Sequence, residues 1–312
     1  MKRGSWGGVF NVIYSFHMPL FMFISGFLFF QAYYDKSKAA YSGERIKRQS
    51  LNLAGVYVLF SIVLGIFKMV FSGNVNNAVT IKDILMIWCR AIAPYWYLYD
   101  LIVFYFLFSR KAVYTRKDDL LLLLTVAVSL CSIVVRSRLF EARNLLYYAL
   151  FFYLGILYCK NRMHPLFSLP AVLTLFALSC VCFAVFWGDS RTLNNIALVN
   201  CVTALGFSLV LVQLFEKVGM LANNAVFRLV GKNCLEVYVT HCFLTAGFRA
   251  VFPKIGIHHI VVSVLLNAVL STVIPLADAA AVRSLGVHDI FFKPYTYVAG
   301  HISDRKTCGD QK

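Results

Sequence analysis

Charge is what this sequence has least of. Only 14% of its 312 residues are Asp, Glu, Lys or Arg, against about a quarter in a soluble domain. No polar stretch is long enough to enclose a core of its own, which excludes a separate soluble domain. Several chemical signatures are missing as well: there is no Ser-His-Asp order, no glycine-rich phosphate loop and no cluster with metal-ligand spacing. The nine cysteines stand singly or as Cys180-x-Cys182 inside apolar segments. That pattern fits neither a zinc site nor a disulfide framework, and reads as small apolar filler. Met1-Lys2-Arg3-Gly4 has the basic start of a signal peptide. The apolar run behind it is too long, and it ends in bulky aromatics rather than a cleavage site.

What is there instead is apolar and aromatic. Hydrophobic residues make up 60% of the chain, with 28 Phe, 17 Tyr and 4 Trp, a composition that lipid solvates. A membrane span takes about 20 apolar residues. That length predicts an all-α, polytopic transmembrane helix bundle of about nine spans, at 10–34, 50–72, 84–108, 119–136, 144–160, 166–187, 192–215, 234–251 and 259–282. The whole chain, 1–312, reads as a single membrane domain with a cytoplasmic tail over 284–312.

The formal charge of +16 does not point to nucleic acid, because the basic residues sit in short loops between apolar runs. One set of alternate loops holds 19 Lys and Arg and the other 8. The richer set takes the cytoplasmic side and contacts anionic head groups. The C-terminus is then inside and Met1 outside. An exported start carrying Lys2 and Arg3 is awkward, and a further helix ahead of Met1 is the simplest repair.

Within the apolar runs a few residues do not belong to a plain span. His17 lies in Phe16-His-Met-Pro-Leu-Phe-Met-Phe-Ile-Ser-Gly26, roughly 10 Å into its helix. An ionisable group at that depth is a functional candidate, and the competing reading is a neutral ring bonded to a carbonyl. Ser25-Gly26 fits a packing groove. Arg45, Lys47 and Arg48 fit ordinary anchoring at the cytoplasmic side, or a clamp for a phosphorylated donor. The stretch from Trp88 to Asp100 combines aromatics, Pro94 and ionisable groups. Trp96 and Asp100 share a helix face, as part of an interfacial belt or of a wall against which sugar rings stack. In Gly231-Lys-Asn-Cys-Leu-Glu-Val-Tyr-Val-Thr-His241, Asn233 and Glu236 have capping-box spacing. Tyr238 and His241 share a face, whereas Glu236 and His241 do not. The remaining histidines, His288 among them, read as solvated.

Taken together these segments resemble acyltransferase family 3, the integral membrane O-acetyltransferases that include fucose 4-O-acetylase-like and surface-polysaccharide acetylases. The Phe16–Phe29 stretch resembles the family's second-helix motif, and Arg45-x-x-Arg48 its basic loop, without the proline usual after it. Tyr95-Trp-Tyr-Leu98 is similar to a His-Trp-Phe-Leu segment. Arg143–Gly155 resembles the mid-chain aromatic helix, and Gly231–His241 a Gly-x-Asn-Ser-Leu-Glu-Ile-Tyr-x-x-His motif. The family usually has ten helices, the first bearing a buried histidine, and that helix has no counterpart here.

The resemblance implies acetyl transfer from acetyl-CoA, a co-substrate rather than a bound cofactor, to a hydroxyl of a surface or lipid-linked carbohydrate. It implies catalytic roles for His17, His241 and Glu236, donor binding by Arg45, Lys47 and Arg48, and acceptor binding by Trp96, Asp100 and Tyr238. No metal is expected. The partners are acetyl-CoA, the carbohydrate and membrane lipids, in a bacterial inner membrane. A transporter or flippase for a glycan or small solute is the competing function, and a non-catalytic remnant a third.

Overall fold

The computed structural model describes residues 6–35, 40–70, 79–110, 117–135, 139–185, 197–218 and 224–309. Lys2, Arg3, Lys36, Lys38, Lys111, Arg116, Arg136, Arg138, Arg191 and Lys312, which entered the topology count, lie outside the described residues. So do the span ends at 71–72, 136, 186–187 and 192–196.

Thirteen α-helices run through the described residues: α1 Trp6–Tyr33, α2 Gly43–Val70, α3 Ile81–Leu85, α4 Trp96–Phe108, α5 Asp118–Cys131, α6 Ala142–Lys160, α7 Leu169–Val185, α8 Ala197–Lys217, α9 Ala225–Lys232, α10 Cys234–Val251, α11 Ile260–Ser284, α12 His288–Phe292 and α13 Pro294–Gly309. A two-residue antiparallel ladder, Tyr34–Asp35 with Ala40–Tyr41, joins α1 to α2. The fold is all-α and polytopic. Five helical stretches are long and apolar enough to cross a bilayer, Ile13–Tyr33, Gly43–Val70, Leu139–Lys160, Val199–Lys217 and Ile260–Ser284. Two shorter apolar helices, Trp96–Phe108 and Leu169–Val185, join them.

The third expected span is corrected by the structure. Residues 84–108 are not one helix: α3 ends at Leu85, turns follow, and α4 starts only at Trp96. Pro94 bears on the last part of the break, just before α4, since it has no N–H to donate and steers the residue before it away from helical geometry. Upstream, a capping box fixes the start of α3, with Thr80 N–H donating to Asp83 Oδ2 at 2.9 Å and Asp83 N–H donating to Thr80 Oγ1 at 3.3 Å. The segment expected as a tail also has structure, because α12 and α13 fold against α2.

The chain divides into two compact units, 1–46 with 103–219, and 47–102 with 220–312. In the first, α6 is buried from Ala149 through Tyr158, all round rather than on one face, which marks it as the unit's centre. Phe152 lies between Phe29 of α1 and Phe104 and Phe108 of α4, with ring centroids 5.2–5.6 Å apart. Helices α1 and α6 meet through glycines on both sides. A Cβ on Gly26 would lie 1.9 Å from the Phe152 carbonyl oxygen, and one on Gly155 would lie 1.9 Å from that of Phe23.

In the second unit, α11 is built inside out relative to a soluble helix. Asn267, Ser271, Pro275 and Ala279, four apart, form its buried stripe. Val262, Leu265, Val269 and Val273 are exposed. In lipid this arrangement is favourable, because small and polar residues pack and hydrogen-bond while apolar ones face acyl chains. Ser271 donates to Asn267 Oδ1 at 2.9 Å.

Because neither carbonyl can move without unwinding its helix, Gly26→Ala and Gly155→Ala are each expected to force α1 from α6. The cost is about 1–3 kcal/mol or more, read as a lower unfolding midpoint of the detergent-purified protein. A midpoint equal to wild type would show that the helices can part freely.

Candidate functional site

The non-helical stretch between α3 and α4 organises the second unit's interior. Its carbonyls need partners, and side chains from three helices supply them. Tyr57 of α2 donates to Ile87 O at 2.6 Å, and Lys68 of α2 donates to Ala93 O at 2.7 Å. Tyr99 of α4 donates to Trp88 O at 3.2 Å, and Tyr238 of α10 donates to Pro94 O at 2.6 Å. In return the fully buried Tyr95 donates to Val239 O of α10 at 2.6 Å and lies 3.4 Å from Cys242 Sγ. Irregular backbone in a membrane protein is tolerated where protein groups satisfy it.

His241 sits on the helix that this exchange fixes. Its Nδ1 is 2.6 Å from Tyr238 O and 3.2 Å from Val237 O. Carbonyls only accept, so Nδ1 carries the hydrogen here and the lone pair belongs to Nε2. The ring is half-buried, and Nε2 has no hydrogen-bond partner among the described residues. Tyr238 lies 5.8 Å from the imidazole and Tyr97 lies 5.3 Å from Tyr238, centroid to centroid. Trp96, half-buried, meets Tyr97 edge-on at 6.4 Å. Asp100, one turn further along α4, is fully buried. The structure therefore gathers Trp96, Asp100, Tyr238 and His241 in one unit, together with Lys68, Tyr95, Tyr97 and Cys242. The sequence reading had placed Tyr95 and Tyr97 in the aromatic stretch but had not singled out Lys68 or Cys242. Lys68, a charge near the end of an apolar helix, was the signal available.

Glu236 does not serve as a helix cap. Asn233 makes no side-chain cap bond and instead donates from Nδ2 to Leu229 O at 2.7 Å. The Glu236 carboxylate, with only 8% of its side chain exposed, accepts from Arg283 Nη2 at 2.6 Å and pairs with His288 Nε2 at 2.9 Å. His288 is thus no solvated histidine. The turn that returns it to Glu236 depends on Gly286, whose φ is +72°. Gly286 N–H donates to Arg283 O and Val287 N–H to Val282 O, the bonding of a left-handed helix stop. Asp289 Oδ1 lies 3.1 Å from His288 Nδ1 and 3.2 Å from Lys293 Nζ. The hydrogen bond with His288, followed by Lys293, holds the Asp289 carboxyl below the usual carboxylate range.

The other candidates belong elsewhere. His17 is in the first unit, half-buried, with Nδ1 2.9 Å from Ile13 O and the Tyr14 ring edge-on at 5.1 Å. The same reasoning leaves its lone pair on Nε2. Arg45, also in the first unit, lies over the Tyr33 ring at 5.8 Å. Lys47 and Arg48, in the second, are exposed in the first turns of α2 and form no ion pair among the described residues. No group of three or more His, Cys, Asp or Glu among the described residues is placed to hold a metal ion.

A family model described as an acyltransferase domain matches residues 2–277. The chain belongs to acyltransferase family 3. No curated protein and no solved structure matches it. Membership together with the apolar helices makes this an integral membrane acyltransferase. The acyltransferase's matched region contains His17, Glu236 and His241, but ends before Arg283 and His288.

Two outcomes follow from these contacts. Tyr238→Phe leaves the Pro94 carbonyl unpaired and is expected to destabilise the acyltransferase by about 1–3 kcal/mol, measured by thermal unfolding; no change would mean another donor replaces it. Asp289 titrates below its unfolded value, so its contribution is present above that value, about 3.9, and disappears as pH falls through the folded value. The difference in unfolding midpoint between wild type and Asp289→Asn should be visible at pH 6 and shrink as the pH is lowered below about 3.9.

Proposed function

We propose that this acyltransferase moves an acetyl group from acetyl-CoA to a hydroxyl of a cell-surface or lipid-linked carbohydrate, with His241 as general base. The observation that carries the reading is the His241 ring itself. Its Nδ1 is engaged by carbonyls of its own helix, its Nε2 has no hydrogen-bond partner among the described residues, and the ring lies 5.8 Å from that of Tyr238.

The step balances simply. Nε2 takes the sugar hydroxyl proton as that oxygen bonds to the thioester carbonyl carbon. The carbon–sulfur bond then breaks, and the imidazolium returns the proton to the departing thiolate, releasing free thiol. A positioned base of this kind contributes about 10²–10⁴-fold. Tyr97, Trp96 and Tyr238 offer faces on which a sugar ring stacks, and Asp100 lies one turn behind them. Arg45, Lys47 and Arg48 are the donor-side cations, at the end of α2 that the charge bias places toward the cytoplasm. The C-terminus shares that side, and the membrane is a bacterial inner membrane. His17, with the same tautomer, is a second candidate base, in its own unit.

The test is transfer of radiolabelled acetyl from acetyl-CoA to glycan acceptors by the purified protein in lipid nanodiscs. His241→Ala should lower the rate by about 10²–10⁴-fold with KM for acetyl-CoA little changed. Unaltered transfer in both His241→Ala and His17→Ala would remove imidazole catalysis. Movement of intact solute across vesicles without acetyl-CoA consumption would make the protein a transporter.

A further inference from the structure

The second unit contains a cavity that the proposed chemistry does not use. Its volume is about 470 Å³, and Lys232, Glu236, Arg283, His288, Asp289 and Lys293 line it together with Gly286. That size falls in the range of small-molecule sites, about 300–1,000 Å³. Arg283 and every lining residue after it lie beyond residue 277, where the family match ends.

The charges in the cavity do not cancel. Its two carboxylates are both engaged, Glu236 by Arg283 and His288, and Asp289 by His288 and Lys293. Three full cations face these two anions even with His288 neutral. Lys232 is exposed and makes no ion pair among the described residues. Arg283 gives Glu236 only Nη2, so most of its five N–H donors remain available. Donors in excess of acceptors, on a planar guanidinium beside a free ammonium, match phosphate oxygens.

A neighbouring element carries more positive charge to the same end of the unit. Asn52 of α2 donates from Nδ2 to Thr296 Oγ1 at 2.8 Å and accepts from Thr296 N–H at 3.1 Å. Arg48 precedes Asn52 by four residues, on the same helix face, and Lys293 precedes Thr296 by three. The basic start of α2 and the cavity's edge are therefore brought together by a two-bond clasp.

We infer that this cavity is a phosphate-binding site, with Arg283 and Lys232 donating to the phosphate, Lys293 adding charge at the rim, and Glu236 positioning Arg283. Two sources carry that chemistry: the phosphorylated nucleotide of the thioester donor and the head group of an anionic phospholipid. The donor source rests on the acetyl-transfer reading, whereas the phosphate chemistry does not.

The variants that test it are Lys232→Gln and Lys293→Gln, whose side chains are exposed, with Lys217→Gln on α8 as a control outside the cavity. In phosphatidylcholine nanodiscs, calorimetric titration with coenzyme A should show about tenfold weaker binding in each cavity variant and wild-type binding in the control. That result assigns the donor as source. If coenzyme A binds all three alike, but phosphatidylglycerol raises the unfolding midpoint of wild type and control and not of the cavity variants, the source is a head group. Cavity variants that match wild type in both arms, or a control that loses as much as they do, overturn the site. A protein that binds coenzyme A through Lys232 yet transfers no acetyl group would refute the enzymatic proposal and leave this one standing.

Discussion

Within a bilayer, a backbone carbonyl outside a helix has no water to turn to, and that constraint shapes the second unit. Ten residues, Met86 to Tyr95, leave the helical path between α3 and α4. Four of their carbonyls accept from Tyr57, Lys68, Tyr99 and Tyr238. Each such bond removes a desolvation cost of kilocalories. Together the four bonds draw three helices to the turn, so the break becomes the joint through which α2, α4 and α10 are held. The candidate base is carried on the last of these, three residues from the tyrosine that bonds Pro94.

The polar end of the same unit obeys a related rule with charges in place of carbonyls. Glu236 is nearly sealed from solvent, and a buried carboxylate is tolerable only with partners. It has two, Arg283 in the last turn of α11 and His288 at the start of α12. Removing either would leave the carboxylate with a single partner. The charged end and the aromatic middle of α10 are thus linked along one helix, although Glu236 and His241 point about 140° apart around it.

How much of this was legible in the sequence depended on whether the signal was local. Length and hydropathy located most helices to within a few residues, because twenty apolar residues in a row leave little choice. Gly26 was readable as a packing residue, since small side chains in spans serve close approach. The interruption at Pro94 was passed over because the residues around it, Ile92, Tyr95 and Leu98, are as apolar as a span. The Glu236 spacing suggested a cap. Its real partners are 47 and 52 residues later in the chain, and no local pattern announces such a pairing. His288 was read as solvated for the same reason. His241 and Tyr238 were picked out by their spacing, and what could not be foreseen was that Tyr238 would hold a distant proline's carbonyl.

The reciprocal glycines of α1 and α6 have a bearing beyond packing. With each helix's backbone seated in the other's notch, neither can slide along its neighbour by even a fraction of a turn. Gly26 is nine residues from His17, about 13.5 Å along the axis. The altitude of that imidazole in its unit is consequently set from a remote point, by two positions that have no side chain at all.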